Sequence, residues 1–492
     1  MTQDRYQEIK AGSFRERFQF VLKDSAFYGT AAALNKLLNL LTLPVLTRVL
    51  STAEYGALDA MTGLGAIFVA FIVMGLDSAI ARLFFEHEGT EDRKELVSQA
   101  LSIELAFCVV ITAICWFSAD WMLSTFYGIE GYATYLKVLI VSLPFVVLTR
   151  FASNLLKWTF ARNQYMVVAF GSSALVILLT LLFVVGFDQG IQGVYRAQVI
   201  GFGISAAVGI FLCRKHLIVP KSTRYAREMM GYGAPFMVVA VAGCVMPAID
   251  RVFITNYMGL DSAGLYAIGY RYGFMLMLPI TAFMTSWSPF AFSIYKEDNA
   301  EETYNHGLKF MVAGLCAITI AMVATAEPII TLVASERYLP VYVVVLPLLL
   351  RLVIQATSSL ASLGIRLAKR TQFQMLGYLI GLVSSALFVW LLIEPLGLIG
   401  VACGALLGQL AQSISEIAFA YYVYPLRFQL KRPIAMLLVT GIGGVTMQAI
   451  TLPSLPQQVA LRAGVVLVVG ALLWVVTFGF SATARLPQFR QR

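Results

Sequence analysis

The chain has 492 residues, of which 59% are hydrophobic and only 13% charged, with a mean hydropathy of +0.78; a soluble globular domain carries roughly a quarter charged residues. These values exclude water as the main solvent. The net charge of +9 does not indicate nucleic acid, because the basic residues are scattered singly between apolar segments rather than interleaved with aromatics on one face.

The opening residues, MTQDRYQEIKAGSFRERFQF, lack the basic, apolar, small-residue order of a cleavable signal peptide, so a cytoplasmic segment over 1–24 and a retained first helix are predicted. Spanning a bilayer takes about 20 largely apolar residues. Such segments fall at roughly 26–47, 57–80, 97–118, 134–156, 165–187, 193–213, 233–255, 264–290, 307–327, 340–362, 373–394, 398–421, 433–451 and 459–480, about fourteen in all. They predict an all-α integral membrane protein. Its parts are an N-terminal lobe over 25–213, a basic connection over 214–232, a C-terminal lobe over 233–421, two further helices over 433–480 and a cytoplasmic tail over 481–492.

Basic residues concentrate in alternate connections, as the positive-inside rule requires. Arg82, Arg93 and Lys94, then Lys157 and Arg162, then Arg214, Lys215, Lys221, Arg224 and Arg227, then Lys296, then Arg366, Lys369 and Arg370 occupy the inner ones. The outer connections hold isolated charges such as Arg48 and Arg337. Both termini are therefore expected inside the cell.

Two internal matches share nearly one offset. Leu50-Ser-Thr-Ala-Glu-Tyr-Gly56 is followed about 210 residues later by Leu260-Asp-Ser-Ala-Gly-Leu-Tyr266, and Gly190-Ile-Gln-Gly-Val194 about 207 residues later by Gly397-Leu-Ile-Gly-Val401. They predict a six-plus-six duplication with two added helices.

Ionisable side chains inside spans cost several kcal/mol in lipid and usually face a bundle interior or a wet cavity. The basic ones are Lys36, Arg150, Arg196, Arg251, Arg271 and Arg351; the acids are Asp77, Glu104, Asp250 and Glu416. An excess of Lys and Arg attracts an anionic head group, and Arg suits bidentate phosphate recognition. The acids are candidates for coupling to a cation. The plainer reading pairs Asp250 with the adjacent Arg251 and Asp77 with Arg82, and lets Arg150 and Arg196 snorkel from helix ends.

Prolines such as Pro144, Pro235, Pro247 and Pro347 lie within spans and predict bends, static or hinged. Trp116, Trp121, Tyr127, Trp158, Trp287, Tyr338 and Trp390 are expected as interfacial anchors. The six cysteines show no CxxC pair and are read as free packing thiols. His87, His216 and His306 have no second ligand at metal-like spacing, so neither metal nor cofactor is expected. No GxxxxGK[ST] loop, HExxH or hydrolase triad is present in the sequence, which argues against an enzyme.

Leu43-Pro-Val-Leu-Thr-Arg48-Val-Leu50-Ser-Thr-Ala-Glu-Tyr55-Gly56, and Ile249-Asp250-Arg251-Val-Phe-Ile-Thr-Asn-Tyr-Met-Gly259-Leu with Ala263-Gly-Leu-Tyr266-Ala, resemble motifs of the bacterial polysaccharide-export flippases. These are the Wzx-type O-antigen and exopolysaccharide translocases of the multidrug/oligosaccharidyl-lipid/polysaccharide (MOP) superfamily. The resemblance implies two six-helix lobes in a V shape and alternating access. It implies export of undecaprenyl-pyrophosphate-linked oligosaccharide across the bacterial inner membrane, with a polysaccharide polymerase and chain-length machinery as partners. The main rival is a cation-coupled multidrug antiporter of the same superfamily, which would favour acidic pockets and twelve spans.

Overall fold

The computed structural model describes residues 34–35, 38, 41–87, 89–220, 222–295, 297, 299–368, 370–449 and 455–478. Among them there is no strand. The elements are α1 (Leu43–Val49), α2 (Thr52–Val73), α3 (Leu76–Glu86), α4 (Thr90–Tyr127), α5 (Ala133–Trp158), α6 (Arg162–Leu181), α7 (Gly190–Cys213), α8 (Ala226–Phe274) and α9 (Met277–Ser293). They continue with α10 (Ala300–Ala334), α11 (Tyr342–Ala361), α12 (Leu363–Leu367), α13 (Thr371–Val423), α14 (Lys431–Ala449) and α15 (Leu455–Phe478).

Ten helices among the described residues are long and apolar enough to cross a membrane. Two of the ten cover two expected spans each. The stretch Ala226–Phe292 breaks at Gly259 (φ 81°, ψ 176°), and α13 breaks at Gly397 (φ 59°, ψ −135°), conformations open to a residue without Cβ. Both breaks fall in the gaps expected between spans seven and eight and between eleven and twelve. The first expected span lies largely outside the described residues. The helices are turned inside out relative to a soluble protein: Val109, Ile114 and Phe117 on α4, and Ile434, Leu438 and Ile442 on α14, are exposed rows of large apolar side chains.

A proline inside a helix does not by itself make a break, although Pro395 stands two residues before the one at Gly397. Pro144 sits inside the unbroken α5 and Pro347 inside α11, where neighbouring helices tolerate the missing hydrogen bond. The expected aromatic belt is also only partly present. Trp116, Trp121 and Trp390 are exposed, but Tyr127, Trp158, Trp287 and Tyr338 are buried. Trp287 stacks on Phe283, meets Tyr304 edge-on and lies directly over Gly307, so it is a packing residue of α9 against α10. The cysteines are free.

The chain divides into two compact units, Met1–Ala267 and Ile268–Arg492. In the first, α2 opens with a capping box: the Ser51 hydroxyl accepts from the Glu54 amide at 3.2 Å, and the Ser51 amide donates to Glu54 Oε2 at 2.8 Å. This start packs on the segment after the Gly259 break. Cβ atoms added at Gly56 and Gly264 would collide with the backbone at Leu260 and Thr52 respectively, and the Thr52 hydroxyl donates to Asp261. The two members of the first internal match thus touch each other through bare backbone.

The second match has a different meaning. Gly190 and Gly397 both take positive φ at a helix junction. Three residues on, Gly193 lies 3.1 Å (as a built Cβ) from the Phe183 backbone, and Gly400 lies against the Leu392 carbonyl. Each glycine pair closes a helical hairpin: α6 with α7 in the first unit, and the two limbs of α13 in the second. In α13 the seam continues along the helix, Gly404 facing Val389, Gly408 facing Ser385, Gly381 facing Gln412 and Gly377 facing Glu416.

Candidate functional site

Three residues singled out from the sequence meet in the first unit. Arg150 on α5 donates to Asp77 on α3 (Nη2 to Oδ2 2.7 Å, Nε to Oδ2 2.8 Å), and Asn154 donates to the other carboxylate oxygen at 2.9 Å. Glu104 on α4 lies within electrostatic reach of both Asp77 and Arg150. It is 1% exposed, and its Oε1 has no hydrogen-bond partner among the described residues. Arg82 pairs instead with Glu86 at 2.6 Å. A spacing of four puts side chains on one helix face, whereas the spacing of five from Asp77 to Arg82 does not, which corrects the expected Asp77–Arg82 pair.

The adjacent Asp250 and Arg251 likewise look elsewhere, because neighbours on a helix point about 100° apart. Arg251 Nε donates to Asp59 Oδ2 on α2 at 2.9 Å and its Nη1 to the Pro247 carbonyl at 3.0 Å, with the guanidinium 5.5 Å from the Tyr266 ring centroid. Tyr266 in turn donates its hydroxyl to Asp250 Oδ2 at 2.9 Å. Asp59, absent from the sequence-based set, is thus the partner that holds Arg251 in place. Arg196 is exposed early in α7 and donates to Gln189 at 3.0 Å. Lys36 lies outside the described residues.

In the second unit, Arg271 is half-buried near the end of α8, and Arg351 is 7% exposed on α11. Glu416 belongs to a built polar site. A small polar pocket is lined by Gln355, Ser358, Arg366, Tyr378, Gln412 and Glu416, among others. Gln412 and Glu416 are 2% and 3% exposed, and Gln412 Nε2 donates to Glu416 Oε1 at 2.8 Å. Arg366 donates to the Ser359 carbonyl at 2.8 Å. Burial pushes the Arg366 guanidinium below its ordinary value, and the Glu416 carboxylate opposes that shift.

One further ion pair escaped sequence reasoning. Arg462 on α15 donates to Glu327 on α10 at 2.6 Å, with its guanidinium 5.3 Å from the Tyr342 ring of α11. With Gln448 of α14 donating to the Tyr342 carbonyl at 2.6 Å, it ties the two last helices to the second unit. Its sequence signal is a lone arginine near the start of an otherwise apolar span.

This arrangement, in a multi-pass membrane protein, has the fold of solved membrane transporters. A multidrug resistance MATE family transporter of the MOP superfamily, in an inward-facing conformation, matches with a TM-score of 0.69 and 16% identity, over 79% of this chain and 94% of that one. The lipid II flippase MurJ, in an inward closed conformation, matches with a TM-score of 0.70 and 15% identity, over 94% of this chain and 100% of that one. Identities this low show the fold alone. Among curated proteins, "Lsg locus putative protein 1" of Haemophilus influenzae is 23% identical over 282 residues, 56% of this chain and 67% of that one. Residues 21–295, more than half the chain, match the family described as polysaccharide biosynthesis protein, and the chain belongs to that family.

Proposed function

We propose that this chain is a flippase, not an enzyme, that carries undecaprenyl-pyrophosphate-linked oligosaccharide from the inner to the outer leaflet of the bacterial cytoplasmic membrane by alternating access. The observation that carries the reading is membership of a polysaccharide biosynthesis family on a transporter fold. A polyprenyl tail stays in lipid by itself; the barrier is the charged and hydroxyl-rich head. Buried arginines replace its hydration, and among them Arg271 and Arg351, with Lys36, are the ones proposed to meet the pyrophosphate. Arg150 and Arg251, each held by a carboxylate, position that charge within their own unit. Arg196 is proposed as a peripheral contact.

An inside-negative potential favours outward movement of an anionic head by roughly 2.3 kcal/mol per charge per 100 mV. The termini are proposed to lie in the cytoplasm, and a polysaccharide polymerase to act on the exported product. The multidrug antiporter draws no support from the MATE likeness, which is one of fold only.

The test is outward movement of lipid-linked oligosaccharide in proteoliposomes containing Arg271→Gln, Arg351→Gln or Lys36→Gln. The expected result is loss of most of the flux with unchanged protein in the membrane. Full flux in all three variants overturns the assignment.

A further inference from the structure

We infer that the second unit holds a membrane phospholipid where α10 and α14 begin, by a head that carries both a phosphate and a primary ammonium, as in phosphatidylethanolamine. The phosphate lies between Lys309 of α10 and Arg432 of α14, and the ammonium lies on Glu301 and Glu302.

The first observation is a set of charges that share a pocket and do not pair. Glu301, Glu302, Lys309 and Arg432 line one cavity, and among the described residues no ion pair joins either carboxylate to either base. Opposite charges pair along a helix when they stand three or four apart. Glu302 and Lys309 stand seven apart on one face of α10, about 10 Å of helix rise. Arg432 is instead close enough for its charge to act on Lys309. Two neighbouring bases with no acid between them attract a phosphate, and two acids beyond them attract a cationic donor.

The second is depth. The expected spans begin at 307 and 433, so Lys309 and Arg432 stand at the boundary of the hydrocarbon, while Glu301 and Glu302 lie about two turns further out. Bases on the membrane side and acids on the water side match the polarity of a phosphoethanolamine head, whose phosphate joins the glycerol and whose ammonium is the outer end. The four charges cancel, so a head of net negative charge gains less here than a zwitterion. A choline head has no N–H to give the carboxylates.

The third is apolar surface directly below. From His306, also in the lining, the exposed face of α10 continues through Phe310, Gly314, Ala317 and Ala321, and nothing lies within 4 Å of a Cβ built at Gly314. On α14 the exposed row of Ile434, Leu438 and Ile442 starts one residue after Pro433 of the lining. Acyl chains thus have a surface to lie on beneath the head. The pocket wall is fixed in advance: Asn305 donates to the Arg427 carbonyl at 3.0 Å and accepts from the Gln429 amide at 2.6 Å. Arg432 also donates to the Thr477 carbonyl at 3.3 Å, so a lipid held there gathers α10, α14 and the end of α15.

This inference does not rest on the transport reading. The experiment is thermal unfolding of the full-length protein, purified in detergent, with added phosphatidylethanolamine, phosphatidylcholine or phosphatidylglycerol of the same acyl chains, or with inorganic phosphate. Phosphatidylethanolamine is expected to raise the midpoint saturably by a few degrees, the other two lipids less, and phosphate not at all. Lys309→Gln should raise half-saturation severalfold for phosphatidylethanolamine and phosphatidylcholine alike. Glu301→Gln combined with Glu302→Gln should bring the phosphatidylethanolamine response down to that of phosphatidylcholine and leave the latter unchanged. Loss of packing does not produce such a selective change.

Equal midpoints in the three lipids, or an unaltered preference in the double glutamine variant, overturn the inference. A rise with inorganic phosphate equal to that with phosphatidylethanolamine assigns the pocket to a soluble phosphate and overturns the lipid. Should Lys309→Gln fail to fold, the double glutamine variant decides by itself, and retention of its preference counts against the site.

Discussion

The last turns of α7 carry Gly201, Ser205 and Gly209, and about 207 residues later, at the repeat offset, the second limb of α13 carries Gly408, Gln412 and Glu416. Facing them, α6 sets Val176 against Gly201 and Val168 against Gly209, where the first limb of α13 sets Ser385 against Gly408 and Gly377 against Glu416. Bulk has moved across the seam: large against small in one hairpin, small against large in the other. Total volume is kept, which a packed interior tolerates. The chemistry is not kept, because the bulk in the first unit is apolar while in the second it is a carboxylate and an amide opening on a pocket. The duplicated scaffold thus leaves one unit a packing seam and makes the other a site.

The comparison breaks most readily at Gly209. Gly209→Glu puts the second unit's acid into the first without the facing glycine, against Ala152 Cβ, which lies 2.8 Å from a built Cβ, and against Val168. A buried acid with no partner should cost more than about 4 kcal/mol, and the variant should not emerge as a monodisperse peak on size exclusion in detergent. Wild-type yield and elution would show that the seam does not control what it can hold.

Next in size is the contrast between the units' charges. Asp59→Asn strips a buried guanidinium of its carboxylate and should cost about 3 kcal/mol, read as a lowered unfolding midpoint. Glu416→Gln keeps an acceptor for Gln412 and should cost under about 1 kcal/mol. Equal losses would mean that Glu416 is as structural as Asp59. Gly377→Ala forces a methyl onto Glu416 and should cost about 1–3 kcal/mol, measured the same way.

The smallest effect has the opposite sign. Nothing lies within 4 Å of a Cβ built at Gly171, inside α6. Gly171→Ala should therefore stabilise by about 0.5–1 kcal/mol, separating glycines that a seam requires from those it does not. A loss of stability there would point to a neighbour outside the described residues.

Much of this was legible in the sequence because the solvent is lipid. A run of some twenty apolar residues has few alternatives to a spanning helix, so the segments flanking Gly259 and Gly397 read as spans from sequence alone. The repeats were legible too, although the close approach of Gly56 and Gly264 was not, since a string of small residues does not say what it packs against. Charge partners were the least legible. Arg251 meets Asp59 from 192 positions away and Arg462 meets Glu327 from 135; such pairs are decided by which helices become neighbours, and neighbouring sequence positions mislead. Gln412 and Glu416 share a helix face by spacing alone, yet the room for them comes from glycines on the other limb.

The Gly397 break joins two apolar limbs through a junction whose one charged residue is Glu394. A nascent chain leaving the ribosome therefore has no hydrophilic stretch at which to pause between them, and the pair is expected to enter the bilayer as one folded hairpin. Glu416 and Gln412 would then never confront acyl chains alone, because Gly377 and Gly381 arrive first and receive them. Biogenesis and site assembly become the same event, and a polar insertion at Gly397 that let the limbs enter one after the other would trap the acid outside its berth.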